Sequence, residues 1–123
     1  MTLINRLTAA TAAEKSSQPE PELVGQVLAY IAAHYQEKLT LQQLAEHFYV
    51  SKYHLSHTFS SQVGTSIYRY ILLKRLLAAR EQITAGISPS EASQNCGFPD
   101  YANFYRAFRA EYGVSPSALT AKR

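Results

Sequence analysis

The sequence has a single cysteine, Cys96, in 123 residues. One thiol cannot make a disulfide framework or a four-thiolate zinc site. Standing beside Gly97-Phe98, it reads as a small buried core residue. Long apolar runs are also missing, since no stretch approaches the ~18 residues needed to span a bilayer. The N-terminus shows no basic segment leading into an apolar core, as a secretory signal would. A cytoplasmic protein with no membrane partner is expected. There is no phosphate-cradling glycine loop, no nucleophile elbow and no paired-carboxylate site, so neither an enzyme activity nor a cofactor is expected. His54 and His57, with His47 nearby, hint only weakly at a metal, and no metal site is expected. Strand-like alternation is absent as well.

What the sequence does have is helical periodicity and a mild positive charge. A hydrophobic content of 46% suffices for one compact domain. The net charge is +3, and residues 23–123 hold 10 Lys+Arg against 6 Asp+Glu, a balance of +4. That permits an anionic partner without requiring one.

Residues 1–22 are expected to be a mobile N-terminal segment and linker. Within them Ser16–Glu22, "SSQPEPE", is polar and Pro-rich with no apolar period. Ahead of it, Leu3, Ile4 and Leu7 form a short apolar stripe. The stripe reads either as a frayed start or, over residues 1–12, as the tail of a domain absent from this chain.

From Leu23 onward the pattern is helical, and an all-α fold of about seven helices is expected. Leu23, Val24, Val27, Leu28, Ile31 and Tyr35 trace one apolar face. Thr40-Leu41-Gln42-Gln43 reads as a capping box, followed by the apolar face of Leu41, Leu44, Ala45 and Phe48. Ser51 caps the next helix, with Leu55, Phe59 and Val63 inside and Gly64 ending it. The longest helix covers residues 66–84, with Ile67, Ile71, Leu72, Leu76, Ala79 and Ile83 turned inward. Ser88-Pro89-Ser90-Glu91 reads as a second capping box with Pro at the first helical position. Asp100 caps an aromatic-rich helix that Gly113 ends, and Ser115-Pro116 opens a last short one.

The pattern repeats. Residues 40–64 read as capped short helix, turn, capped helix and glycine, and residues 88–113 read the same. Setting Gly64 on Gly113 places Phe59 on Phe108, Leu55 on Phe104 and Ser51 on Asp100. Each copy is a helix-turn-helix unit, and the helix at 66–84 links them. About 19 residues at 1.5 Å give that linker about 28 Å. Successive major-groove faces on one side of DNA lie about 34 Å apart. One chain could therefore address two adjacent turns, with the duplex bending or one helix standing off the bases.

These residues resemble a known family. From about Leu23 to Lys122 the chain is similar to the DNA-binding domain of AraC-type (AraC/XylS) transcription regulators. "GFPDYANFYRAFRAEYGVSP", "YILLKRLLAAREQI" with Arg75-Leu76, and "LAEHFYVSKYHLSHTF" carry the likeness. The resemblance implies a double helix-turn-helix domain over residues 23–123 that binds specific double-stranded DNA. It implies a transcription regulator, an activator as most of the family are, with RNA polymerase as a further partner. Many relatives also carry a sensing and dimerisation domain ahead of the linker. Two departures stand out. Ala92 and Ser93 replace a bulky aliphatic and an alanine, so their helix should pack more weakly. The first recognition helix has no arginine but His57, followed by Ser60 and Ser61, so its grip should be lighter.

A helix entering a major groove needs a packed inner face and an outer face of donors and small groups. The resemblance places base-edge contacts at Tyr53, Ser56, His57, Ala102 and Arg106. Arg106 can give two hydrogen bonds to a guanine edge, and Ala102 can meet a thymine methyl. Ser51, Lys52, Ser60, Tyr105 and Arg109 are candidates for phosphates. Asp100 would repel a phosphate and is expected to serve only as a cap. A rival reading is a protein-interaction module on the same scaffold. Another is part of a DNA-repair methyltransferase, which needs zinc-bound cysteines that one thiol cannot supply.

Overall fold

A computed structural model describes residues 19–120, with side chains from Glu22 onward. The Leu3, Ile4 and Leu7 stripe and the mobility expected of residues 1–18 lie outside the described residues. Seven helices occur in order: α1 Pro19–His34, α2 Leu41–His47, α3 Lys52–Val63, α4 Ile67–Thr84, α5 Pro89–Asn95, α6 Tyr101–Tyr112 and α7 Pro116–Thr120. Among the described residues there is no strand. The all-α expectation holds.

Helix α1 starts at Pro19, inside the stretch read as linker. Prolines at 19 and 21 fall in the first turn, where a missing N–H costs nothing and the fixed φ suits a helix. The caps form largely as the sequence implies. Gln43 donates its amide to Thr40 Oγ1 at 3.0 Å, and Thr40 N–H donates to Gln43 Oε1 at 3.0 Å, closing a capping box. The box expected at Ser88 closes on one side only. Glu91 N–H donates to Ser88 Oγ at 3.1 Å, but the Glu91 carboxylate makes no return bond. It stays exposed in the first turn, where a negative charge suits the helix dipole.

Two apolar cores form, one per unit. Val24, Val27 and Ile31 of α1 meet Leu44, Leu55 and Phe59 in the first. Phe104 and Phe108 meet Ala92, Cys96 and Phe98 in the second. Helix α4 serves both, giving Ile67 and Ile71 to the first and Leu76, Ala79 and Ile83 to the second. The positions paired by the repeat, Leu55 with Phe104 and Phe59 with Phe108, are each 0% exposed. Burying each such phenylalanine contributes about 2–3 kcal/mol. Rings continue the second core from Phe98 to Phe104 (5.0 Å between centroids), Phe108 (5.5 Å) and Tyr112 (4.7 Å). Ala92 and Ser93 are both buried, and the Ser93 hydroxyl donates to Ser90 O at 2.8 Å. Burial pushes the Cys96 thiol above its ordinary range, so it stays protonated.

The cores meet at Arg75. Its Nε donates to Tyr35 O and its Nη2 to Glu37 O, both at 2.7 Å. The guanidinium thus donates to carbonyls just past the end of α1, which have no helical partner of their own. Gly97, in the turn of the second unit, closes against the same place at φ 98°. A Cβ there would stand 2.9 Å from both Tyr35 O and Gln36 O. A second tie is the ion pair of Arg69 Nη2 with Glu111 Oε1 at 3.1 Å, from α4 to the end of α6.

The two turns differ. Between the C-cap Phe48 and the N-cap Ser51 lie Tyr49 and Val50, whereas Gly97, Phe98 and Pro99 lie between Cys96 and Asp100. Tyr49 holds a left-handed φ of 59° with its side chain 93% exposed.

Two outcomes are expected in denaturant titrations. Gly97→Ala should lose at least ~2 kcal/mol more than Gly113→Ala, because both sites have positive φ but only Gly97 meets backbone. Equal losses would mean that the close approach adds nothing. Tyr49→Gly should gain about 1 kcal/mol by relieving left-handed strain, with little packing to lose.

Candidate nucleic-acid interface

Helices α3 and α6 are each locked from within and open outside. Leu55, Thr58 and Phe59 bury the inner side of α3, and Phe104 and Phe108 that of α6. Ser51 Oγ accepts from His54 N–H at 3.0 Å, fixing the start of α3. Asp100 Oδ1 accepts from Asn103 N–H at 2.8 Å, fixing the start of α6.

The residues singled out in the sequence all reach the surface. On α3, Tyr53 is 77% exposed and lies parallel to the His57 ring, 5.7 Å between centroids and 9° between planes. Lys52 and His57 are exposed, and Ser56 and Ser60 are half-buried. Ser51 spends an oxygen lone pair on its own cap but keeps a hydroxyl proton to give. On α6, Ala102, Tyr105, Arg106 and Arg109 are exposed. Tyr101 leans on Phe104 at 5.6 Å. Its partial burial, with Tyr105 beside it, pushes its phenol up, so the hydroxyl remains a donor.

The structure brings some of these together. Tyr53 and His57 form one stacked pair. Ser56 and Arg106 line the same cleft, which opens between the units beneath α4. Lys52 and Arg109 make no ion pair among the described residues. No group of three or more His, Cys, Asp or Glu gathers there to hold a metal.

One feature of this face escaped the sequence reading. Asn103 Nδ2 donates to Asp100 Oδ2 at 3.1 Å, and Asn103 Oδ1 accepts from Arg106 Nη2 at 2.6 Å. Asp100 is therefore more than a cap. Its second oxygen sets the Asn103 amide, and that amide sets the guanidinium. The spacing Asp-x-x-Asn-x-x-Arg was the available signal, because residues three apart share a helix face. Removing the middle member should free the arginine without harming the fold. In Asn103→Ala, NMR relaxation at Arg106 Nε should report a lower order parameter, with stability changed by no more than ~0.5 kcal/mol. An unchanged order parameter would show that the bond does not hold Arg106.

Comparison with known proteins agrees with this architecture. A family model described as a helix-turn-helix domain matches residues 44–122. Regulatory protein PocR of Salmonella typhimurium is 31% identical over 101 residues, covering 81% of this chain and 33% of PocR. The chain spans about a third of the length of several curated regulators that it matches. Among solved structures, the C-terminal domain of AraT, a response regulator from Geobacillus stearothermophilus, superposes with a TM-score of 0.78 at 27% identity. That match covers 82% of this chain and 85% of the other. The DNA-binding domain of the global transcriptional factor AdpA, in complex with a target DNA, gives a TM-score of 0.76 at 27% identity. It covers 80% of this chain and 90% of that one. With its paired units, linking helix and aromatic second core, this chain belongs to the AraC-type helix-turn-helix family.

Proposed function

We propose that this chain is the DNA-binding part of a transcription regulator, acting by sequence-specific binding and without catalysis or a cofactor. Helices α3 and α6 enter two successive major-groove faces. Arg106 and Ala102 read base edges from α6, and Tyr53, Ser56 and His57 read them from α3. Ser51, Lys52, Ser60, Tyr105 and Arg109 contact phosphates and hold the register. Family membership supports this reading, as does the DNA-bound state of the AdpA domain. Activation, contact with RNA polymerase, a cytoplasmic location and a sensing or dimerisation domain ahead of residue 23 belong to the same proposal.

The observation that carries it is the oriented arginine. A free arginine would lose side-chain entropy on meeting a base. Here Asn103 holds Arg106 in advance on a helix that cannot rotate, since Phe104 and Phe108 pin its inner face. A planar fork held in place suits bidentate bonding to guanine.

Selection from random duplexes with this chain would supply a cognate site. On that site Arg106→Ala should cost about 1–3 kcal/mol and relax the preference at one or two base pairs, while random duplexes lose less. Equal losses on both would make Arg106 a phosphate contact. Failure to enrich any sequence would favour a protein-interaction module, a reading to which the lack of arginine on α3 lends support.

A further inference from the structure

The cleft between the units has a volume of about 810 Å³. That lies within the range of pockets that hold small molecules. Its floor and walls are mostly apolar, with Leu41, Ile71, Leu72 and Phe98 prominent. Two cations reach it, Arg75 from the linking helix and Arg106 from α6, and no Asp or Glu lines it.

Neither arginine has a carboxylate partner. The side-chain ion pairs among the described residues are His34 with Glu37 and Arg69 with Glu111. Arg75 is half-buried and bonds only to neutral carbonyls at Tyr35 and Glu37. Burial lowers its pKa. Arg106 bonds to a neutral amide oxygen. An apolar cleft with one half-buried cation, a second, exposed cation at its wall and no carboxylate lining it is complementary to a molecule with an apolar body and one negative end.

We propose that this cleft binds a small amphipathic monoanion, a carboxylate on an apolar body, whose headgroup lies with the arginines and whose body covers Ile71, Leu72 and Phe98. The ligand takes Arg106 from Asn103 and turns it inward. It thereby competes with base reading by the same guanidinium. This second half rests on the DNA-binding reading above. The first half does not.

The test therefore begins without DNA. Octanoate is titrated into the full chain and followed by amide chemical shifts and calorimetry. Octanamide serves as its neutral match, and inorganic phosphate as a headgroup alone. Octanoate should bind with shifts centred on Ile71, Leu72, Phe98 and Ala107. Octanamide should bind about tenfold more weakly for want of the charge-assisted bond, and phosphate not measurably. Arg106→Gln should weaken octanoate about tenfold, and Ala107→Leu should weaken both organic ligands by filling the chamber. Arg106 is exposed, so its variant tests the site even where Arg75→Met fails to fold. Equal affinity for octanoate and octanamide, shifts elsewhere, or no binding at millimolar ligand would overturn the site. Saturation by phosphate alone would overturn it too, assigning the charge to the DNA backbone.

The second arm uses the selected duplex. Octanoate should weaken that duplex by the same factor by which the duplex weakens octanoate, as linkage requires. An unchanged duplex affinity with octanoate bound would overturn the coupling while the ligand site stands.

Discussion

A half-buried guanidinium with no acid beside it holds the two halves of the molecule in one geometry. Arg75 reaches from the linking helix to the carbonyls of Tyr35 and Glu37 beyond the end of α1. Gly97 brings the turn of the second unit against the Tyr35 carbonyl and its neighbour, that of Gln36. Three separate pieces of chain thus share one point: the helix ahead of the first unit, the linker, and the hinge of the second unit. Donating to carbonyls suits this site better than a salt bridge would. Those carbonyls need partners in any case, and pairing a buried charge with a carboxylate would add a second desolvation cost. Tyr35 packs against both cores at this point and extends the contact sideways.

The outer ties are weaker and set orientation more than stability. The Arg69–Glu111 pair is well exposed, and exposed pairs contribute only about 0–1 kcal/mol. Arg80 lies over the Tyr112 ring at 4.9 Å, adding a second contact between α4 and α6. Tyr112 therefore touches Phe108 on one side and a cation on the other. The aromatic run of α6 is the packed spine of the second unit, and this leaves the opposite side of that helix free for donors.

Much of this was legible in the sequence because it is local. Caps depend on residues three apart, glycine stops on a single backbone angle, and inward faces on helical period. Thr40, Ser51, Asp100, Gly64 and Gly113 accordingly do what their spacing implies. The internal repeat pointed to the core, since the positions it pairs, Leu55 with Phe104 and Phe59 with Phe108, are all fully buried. The misses have physical causes. Helix α1 runs back to Pro19 because prolines that look like linker are also good first-turn residues. The role of Arg75 depends on carbonyls about 40 residues away, which no local pattern encodes. Asn103 was passed over because an exposed amide is ordinary until its two bonds are seen. The candidate contacts on α3 and α6 came from the family likeness together with their outward spacing. Their side chains reach the surface, as any contact with a partner requires.

The unequal turns give the molecule a polarity. The first unit crosses from helix to helix on Tyr49 and Val50, the second on Gly97, Phe98 and Pro99. The halves repeat in sequence but differ in their turns and in the side chains they expose, so they are not interchangeable. On the proposed reading, a bound monomer has a head and a tail. Its arginine-bearing end fixes one stretch of bases, and its tyrosine-and-histidine end tolerates more variation in the next. Such a site reads differently forwards and backwards, so a single copy can tell a neighbouring protein on which side to assemble. Dimeric readers of palindromes need a second device to convey that.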